Sequence, residues 1–259
     1  MDGSFIVMDN DNSTRAERDS ALYRRKLREV INMNTKKLII SSVAATILAS
    51  SNLASAGDIE ANVALATDYV FRGFSQTNED PAISGGFDYA FDNGFSVGTW
   101  ASNVNFGDNT STELDLYAGY GFEVSEGVTI DLSYIYFVYP GETDGLNYSE
   151  FVASVSFSDI SLGLVYSPDY FGSDDSAIVL NADYSIGLAE NLGLDLHVGY
   201  SDVDSDDFFD FNESSYVDYS AALTTSGAGV DFALTYYGTD LDDIDAADDR
   251  LVFSVGKSF

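Results

Sequence analysis

The sequence predicts an all-β chain, an antiparallel transmembrane β-barrel of about twelve strands. Three observations predict it. Apolar residues recur with period two from residue 61 to the C-terminus, and no window there sustains the 3.6-residue period of a helix. Short polar turns alternate with longer acidic loops, as in a barrel with tight turns at its periplasmic rim and loops at its extracellular rim. Strands of about ten residues, tilted, match the ~25 Å apolar band of an outer membrane.

Charge divides the chain of 259 residues at residue 56. Residues 1–56 hold eight of the eleven basic residues and six of the 43 acids, a net of +2. The remainder carries only Arg72, Arg250 and Lys257 against 37 acids, a net of −34. Residues 1–32 read as a start assigned upstream of Met33, or as a disordered extension. Residues 33–56 read as a secretory signal: Met33-Asn34-Thr35-Lys36-Lys37 is a basic opening, Leu38 to Ala49 is apolar apart from hydroxyl residues, and Ala54-Ser55-Ala56 is a small-x-small site with cleavage near Ala56/Gly57. Such a run is too short to cross ~30 Å of hydrocarbon as a helix.

Residues 57–259 then form the barrel, with candidate strands at 61–72, 82–92, 95–104, 112–123, 128–139, 148–157, 161–167, 177–186, 192–201, 215–225, 229–237 and 250–259. The alternation assigns faces. Val63, Leu65, Thr67, Tyr69 and Phe71 share the apolar side of the first strand, opposite Asn62, Ala64, Ala66 and Asp68. Leu114, Leu116, Ala118, Tyr120 and Phe122 oppose Glu113, Asp115, Tyr117 and Gly119. Val128, Ile130, Leu132, Tyr134 and Tyr136 oppose Thr129, Asp131 and Ser133. Leu192, Leu194, Leu196, Val198 and Tyr200 oppose Asp195 and His197. Tight turns fall at Asp92-Asn93-Gly94, Ser125-Glu126-Gly127, Ser158-Asp159-Ile160, Ala189-Glu190-Asn191 and Ser226-Gly227-Ala228.

A soluble sandwich and a lipocalin-like barrel use similar strands. The apolar face here is too extensive for a small interior, and a closed soluble barrel of this size would leave an unfilled apolar lumen. Aromatics at strand ends (Tyr69, Phe71, Phe91, Phe95, Tyr120, Phe122, Tyr136, Tyr139, Tyr200, Tyr236 and Tyr237) sit where interfacial girdles lie. The chain ends on Phe259 with Val255, Phe253 and Leu251 in phase, resembling the assembly signal of bacterial outer-membrane proteins. That implies contact with the assembly machinery through Phe259, although Lys257 departs from the pattern. The location implied is the bacterial outer membrane, with lipid and lipopolysaccharide as surroundings.

Residues 69–140 add ordered motifs. Tyr69-Val70-Phe71-Arg72-Gly73-Phe74-Ser75-Gln76-Thr77 is followed by Gly85-Gly86-Phe87-Asp88-Tyr89 and Gly98-Thr99-Trp100-Ala101-Ser102-Asn103-Val104. Then come Glu113-Leu114-Asp115-Leu116-Tyr117-Ala118-Gly119-Tyr120 and Tyr139-Pro140. This stretch, about a third of the mature chain, resembles the TorF family of exported proteobacterial porins. The resemblance implies an outer-membrane, porin-like protein and brings no substrate or site residues.

On the second face, alternation places Asp68, Asp88, Asp115, Asp131, Glu150, Asp183, Asp195, Asp218 and Asp231 in the lumen. Carboxylates facing a water-filled lumen raise local cation concentration and repel anions. The expected function is passive diffusion of small hydrophilic solutes with a cation preference. The competing reading is a non-conducting barrel whose loops serve adhesion or surface stability, since twelve strands fall between filled eight-stranded and open sixteen-stranded barrels. Arg72 with Asp68 or Glu113 is a candidate constriction pair, and equally a structural ion pair. Trp100 falls on the polar face.

Several classes are excluded. Without Cys there are no disulfides, thiolate zinc sites or cysteine nucleophiles. With 43 acids to 11 bases, counterion-release binding to nucleic acid has no basis. No cofactor motif is present. The sole histidine, His197, reads as a lumen hydrogen-bonder rather than a general base, and no enzyme is expected. The acid runs Asp202, Asp204, Asp206, Asp207, Asp210, Glu213 and Asp240, Asp242, Asp243, Asp245, Asp248, Asp249 lack the glycine and terminal glutamate of a calcium loop. They read as a solvated surface, with divalent bridging to lipopolysaccharide left open.

Overall fold

Runs rich in Val, Leu, Tyr and Phe at alternate positions form strands because branched and aromatic side chains pack well on a pleated surface. The structure, a computed structural model, describes residues 57–141, 145–205 and 214–259. The extension at 1–32, the signal segment at 33–56 and part of the 202–214 acid run, including Asp206, Asp207, Asp210 and Glu213, lie outside the described residues.

Twelve antiparallel strands close on themselves. They are β1 (Asp58–Ala66), β4 (Ala82–Ala90), β5 (Phe95–Asn103), β6 (Thr112–Ser125), β7 (Val128–Val138), β8 (Tyr148–Phe157), β9 (Ile160–Ser167), β10 (Ala177–Ala189), β11 (Leu192–Val203), β12 (Ser215–Gly227), β13 (Val230–Thr239) and β14 (Arg250–Ser258). Each pairs with its sequence neighbour around the barrel, and β1 pairs with both β4 and β14 to close it. Closure leaves no unpaired edge, the condition for strands in hydrocarbon. Among the described residues no helix is long and apolar enough to cross a membrane.

The faces follow the alternation. Outward lie Val63, Leu65, Ile83, Phe87, Leu116, Leu132, Phe151, Leu162, Leu164, Leu180, Val198, Leu223, Leu234 and Phe253, all exposed. Toward the tight turns, outward rings pair as Tyr89–Phe91 and Phe95–Tyr120, each with centroids 4.7 Å apart. Toward the loops, Tyr134–Phe151 and Tyr219–Tyr236 do the same at 5.1 and 6.4 Å. The bulge between Glu123 and Ser125 and another between Gly187 and Ala189 fall beside tight turns, where they leave the phase of the strand bodies intact.

One element departs from the expected pattern. The first strand ends at Ala66, not at residue 72. The chain then turns inward and makes a miniature hairpin, β2 (Val70–Phe71) paired with β3 (Phe74–Ser75). Its two-residue turn is Arg72-Gly73, with φ of 49° and 85°. Two successive positive φ values are what a tight turn of primed type requires to match strand twist. Tyr69 and Phe71, expected in an interfacial girdle, are buried inside the barrel instead, at 4% and 6% exposure. Tyr139 is buried too. Tyr237, which pairs across β13 and β12 with Ser220, shares the inward face.

Candidate functional site

The inward hairpin meets the β5–β6, β7–β8 and β12–β13 walls in the loop-side half of the lumen. The base of the hairpin is held by Asp68, whose Oδ1 accepts hydrogen bonds from Ser75 Oγ (2.8 Å) and Thr77 Oγ1 (2.7 Å). Its Oδ2 accepts from Arg250 Nη1 at 2.9 Å. Gln76 closes the same loop through the backbone, its N–H donating to Tyr69 O at 2.6 Å. Asp68, Ser75, Gln76 and Thr77 are all buried. Ser75 and Thr77 thus tie the turn back onto one carboxylate, and Gln76 ties it to the backbone of Tyr69.

The tip spans the lumen. On one side Arg72 makes a two-pronged ion pair with Glu150 on β8, Nη1 to Oε1 at 2.7 Å and Nη2 to Oε2 at 2.9 Å. Planar guanidinium and carboxylate match in this arrangement, which is stronger than a single contact. The Arg72 guanidinium lies 4.5 Å from the Phe71 ring centroid and 5.7 Å from that of Tyr170, whose hydroxyl is 3.3 Å from Nη1. On the other side Tyr216 Oη donates to Arg72 O at 2.9 Å. Gly73 lies so close to the β12–β13 wall that an added Cβ would stand 2.3 Å from Thr239 Cγ2.

The hairpin flank packs on the β5–β6 wall. Tyr69 meets Trp100 edge to face at 5.3 Å, and its hydroxyl donates to Glu113 Oε1 at 2.7 Å. Tyr139 donates to the other oxygen of Glu113, also at 2.7 Å. Phe71 packs against Phe137, which stacks on Tyr148 at 4.4 Å. Trp100 therefore does lie inward. The expected pairing of Arg72 with Asp68 or Glu113 is replaced: Glu150 takes Arg72, Arg250 takes Asp68, and Glu113 is satisfied by two tyrosine hydroxyls. The hairpin tip reaches across the lumen rather than along its own strand, which is why the nearer acids are not its partners.

The carboxylates form two tiers instead of one ring. Asp68, Glu113, Asp115, Glu150 and Asp218 lie in the loop-side half, all buried. Asp115, on β6 between Trp100 and Phe137 of the flanking strands, is 1% exposed, and its Oδ1 has no hydrogen-bond partner among the described residues. The Tyr148 hydroxyl is likewise without one. Nearer the tight turns, Asp88 accepts from the Tyr117 hydroxyl, while Asp195 accepts from Ser185 Oγ (2.6 Å) and Thr224 Oγ1 (3.2 Å). Asp231 accepts from Ser226 Oγ, and Asp131 is buried on the inward face of β7. His197 bridges the tiers, with Nδ1 2.7 Å from Asp183 and Nε2 3.2 Å from Asp218. Its partners are thus on β10 and β12, across the sheet, rather than Asp195 on its own strand. Among the described residues no group of three or more His, Asp or Glu side chains is arranged to hold a metal ion.

Above the hairpin a cavity of about 360 Å³ opens at the loop rim, lined by Phe71, Phe74, Phe106, Phe171, Tyr216 and Asp108 among others. Asp108 keeps its carboxyl below the usual range because the Thr110 backbone N–H donates to it, at 2.6 Å. Tyr139, Tyr170 and Tyr216 were not singled out by sequence as lumen residues. Tyr139 falls at the end of the expected strand 128–139, in phase with Asp131 and Ser133, and Tyr170 sits in a loop, where alternation carries no information.

A family model described as a bacterial protein of unknown function, Gcw_chp, matches residues 50–259. The chain belongs to this family. No curated protein matches the sequence closely enough to compare. Among solved structures, this Gcw_chp chain resembles the KdgM porin, with a TM-score of 0.51 at 11% identity over 77% of this chain and 98% of the porin. It resembles the NanC porin with a TM-score of 0.50 at 8% identity, over 77% and 98%. At such identities the likeness is one of fold. The Gcw_chp chain has the fold of an outer-membrane porin.

Proposed function

We propose that this chain is an outer-membrane channel for small hydrophilic solutes, cation-preferring, with its loop-side mouth narrowed by the β2–β3 hairpin. The observation that carries the reading is the pairing of a closed, outwardly apolar barrel with an inward face that bears carboxylates in both halves. A water-filled lumen lined with carboxylates between low-dielectric walls concentrates cations and excludes anions. The resemblance of residues 69–140 to TorF family porins supports the same reading. Export through a signal cleaved near Ala56/Gly57, tight turns toward the periplasm and acidic loops outward complete it. Phe259 serves as the contact for assembly.

The test is planar-bilayer conductance of protein extracted from outer membranes, under a salt gradient. Discrete steps with a cation-selective reversal potential support the channel. Anion-selective steps would refute the acidic lumen as the selective element. A second reading has its own observation: the hairpin is tied to both walls, by Glu150 on one side and Tyr216 on the other. A folded protein, migrating faster unboiled than boiled on gels yet electrically silent, would favour a closed barrel with a surface role.

A further inference from the structure

The Arg72 contact has the features of a ligand site whose ligand belongs to the chain itself. Glu150 presents both oxygens to a guanidinium, and the rings of Phe71 and Tyr170 flank it. Bidentate carboxylate plus aromatic faces is the arrangement that recognises a guanidinium in preference to a compact ammonium. The surroundings hold more acceptors than Arg72 uses. Asp115, buried in the same half, leaves Oδ1 without a hydrogen bond among the described residues, and Tyr148, two residues from Glu150 on the same face of β8, leaves its hydroxyl unpaired among them.

The charge balance points the same way. Five buried carboxylates share the loop-side half with Arg72 and Arg250, and His197 reaches only Asp218 among them. If the hairpin withdraws, Glu150 stays behind, buried and uncompensated, unless another cation takes its place. Leaving a buried charge unpaired is the costly outcome; exchanging one partner for an equivalent one is not. The tip also holds Arg72 at a φ of 49°, a conformation that a residue with a Cβ adopts only under constraint.

We propose that Glu150, with Phe71, Tyr170 and Tyr148 around it, is a binding site for guanidinium-bearing solutes, and that Arg72 is a tethered stand-in such a solute displaces. The proposal rests on the channel reading for its biological use, since displacement would free the mouth for the solute that caused it. The tether fixes the concentration scale. A covalently linked competitor acts at an effective concentration on the order of millimolar, so a free guanidinium compound competes in that range.

Trp100 is the sole tryptophan and packs on Tyr69 of the hairpin flank, so its emission reports hairpin docking without any conductance. The full chain in detergent is titrated with guanidinium chloride at low millimolar concentrations, with methylammonium chloride at equal ionic strength as the comparison. A saturating emission change with guanidinium and none with methylammonium is expected. Arg72→Lys, which keeps the charge and loses the fork, is expected to lower the midpoint about three-fold or more. Glu150→Gln is expected to abolish the selective response. The site is overturned if both cations act alike, if Arg72→Lys leaves the midpoint unchanged, or if a folded Glu150→Gln responds as the parent does. Bilayer recordings of the same samples separate the two claims. A selective emission change without conductance sinks the channel and keeps the site; conductance indifferent to guanidinium sinks the site and keeps the channel.

Discussion

The two halves of the lumen are built on one alternation and come out differently. In the loop-side half the inward positions carry Trp100, Ile135, Phe137, Tyr148, Val152, Val165, Val179, Val203 and Tyr216, all buried against the hairpin or one another. In the turn-side half the same inward phase carries Ser96, Gly98, Ser154, Ser156, Ser161, Gly163, Asn181 and Ser185, all partly accessible. Alternation decides which way a side chain points; side-chain volume decides whether the space inside is protein or water. A barrel of this strand number has room for either; here the loop-side half is packed with large side chains, and the turn-side half carries small ones that stay partly accessible.

The largest effect on that contrast comes from removing the hairpin. Replacing Val70–Ser75 with a Gly-Ser linker is expected to raise single-channel conductance several-fold, because only the loop-side half is filled. An unchanged conductance would place the constriction elsewhere. Next is Arg72→Ala, which strands the buried Glu150; breaking one side of a buried pair costs about 3–5 kcal/mol. The loss falls on hairpin docking, so proteolysis near residues 70–75 should accelerate while heat-modifiability on gels survives. Gly73→Ala follows, since a left-handed φ costs a residue with a Cβ about 1–2 kcal/mol before the contact with Thr239 is counted. Noisier conductance with unchanged selectivity is expected. Ser154→Lys, in the turn-side half, should lower cation preference in reversal-potential measurements and leave hairpin protection intact. Smallest is Tyr236→Phe, which removes an outward hydrogen bond to Asp249 (2.6 Å) and should change neither conductance nor hairpin protection.

The strands and their phase were legible because period two is a local property, readable within ten residues. Val63 and Leu65, Leu132 and Tyr134, and Leu196 and Val198 all face outward as their spacing implies. The hairpin was hidden by the same rule. Tyr69 and Phe71 continue the phase of Val63 and Leu65 without a break, so the apolar side of a strand and the buried side of an inward loop look identical in sequence. One signal was available: Arg72-Gly73 flanked by Val-Phe and Phe-Ser is a two-residue turn between short apolar runs. The partners were not legible at all. Arg72 and Glu150 are 78 positions apart, and only closure of the barrel brings them into reach. The RG-x-SQT, GxWASN and ELDxYxGY segments supplied a family resemblance without a reason. In the structure they supply the hairpin, the Trp100 wall and the Glu113–Asp115 wall, three sides of one site.

The bond between Arg250 and Asp68 also sets an order of events. Arg250 opens the last strand and Asp68 follows the first, 182 positions earlier. The base of the hairpin therefore lacks its guanidinium until β14 comes alongside β1 and the ring is complete. Closing the seam and completing the hairpin's anchor are thereby linked: a half-assembled barrel lacks this contact, and its presence marks a closed ring.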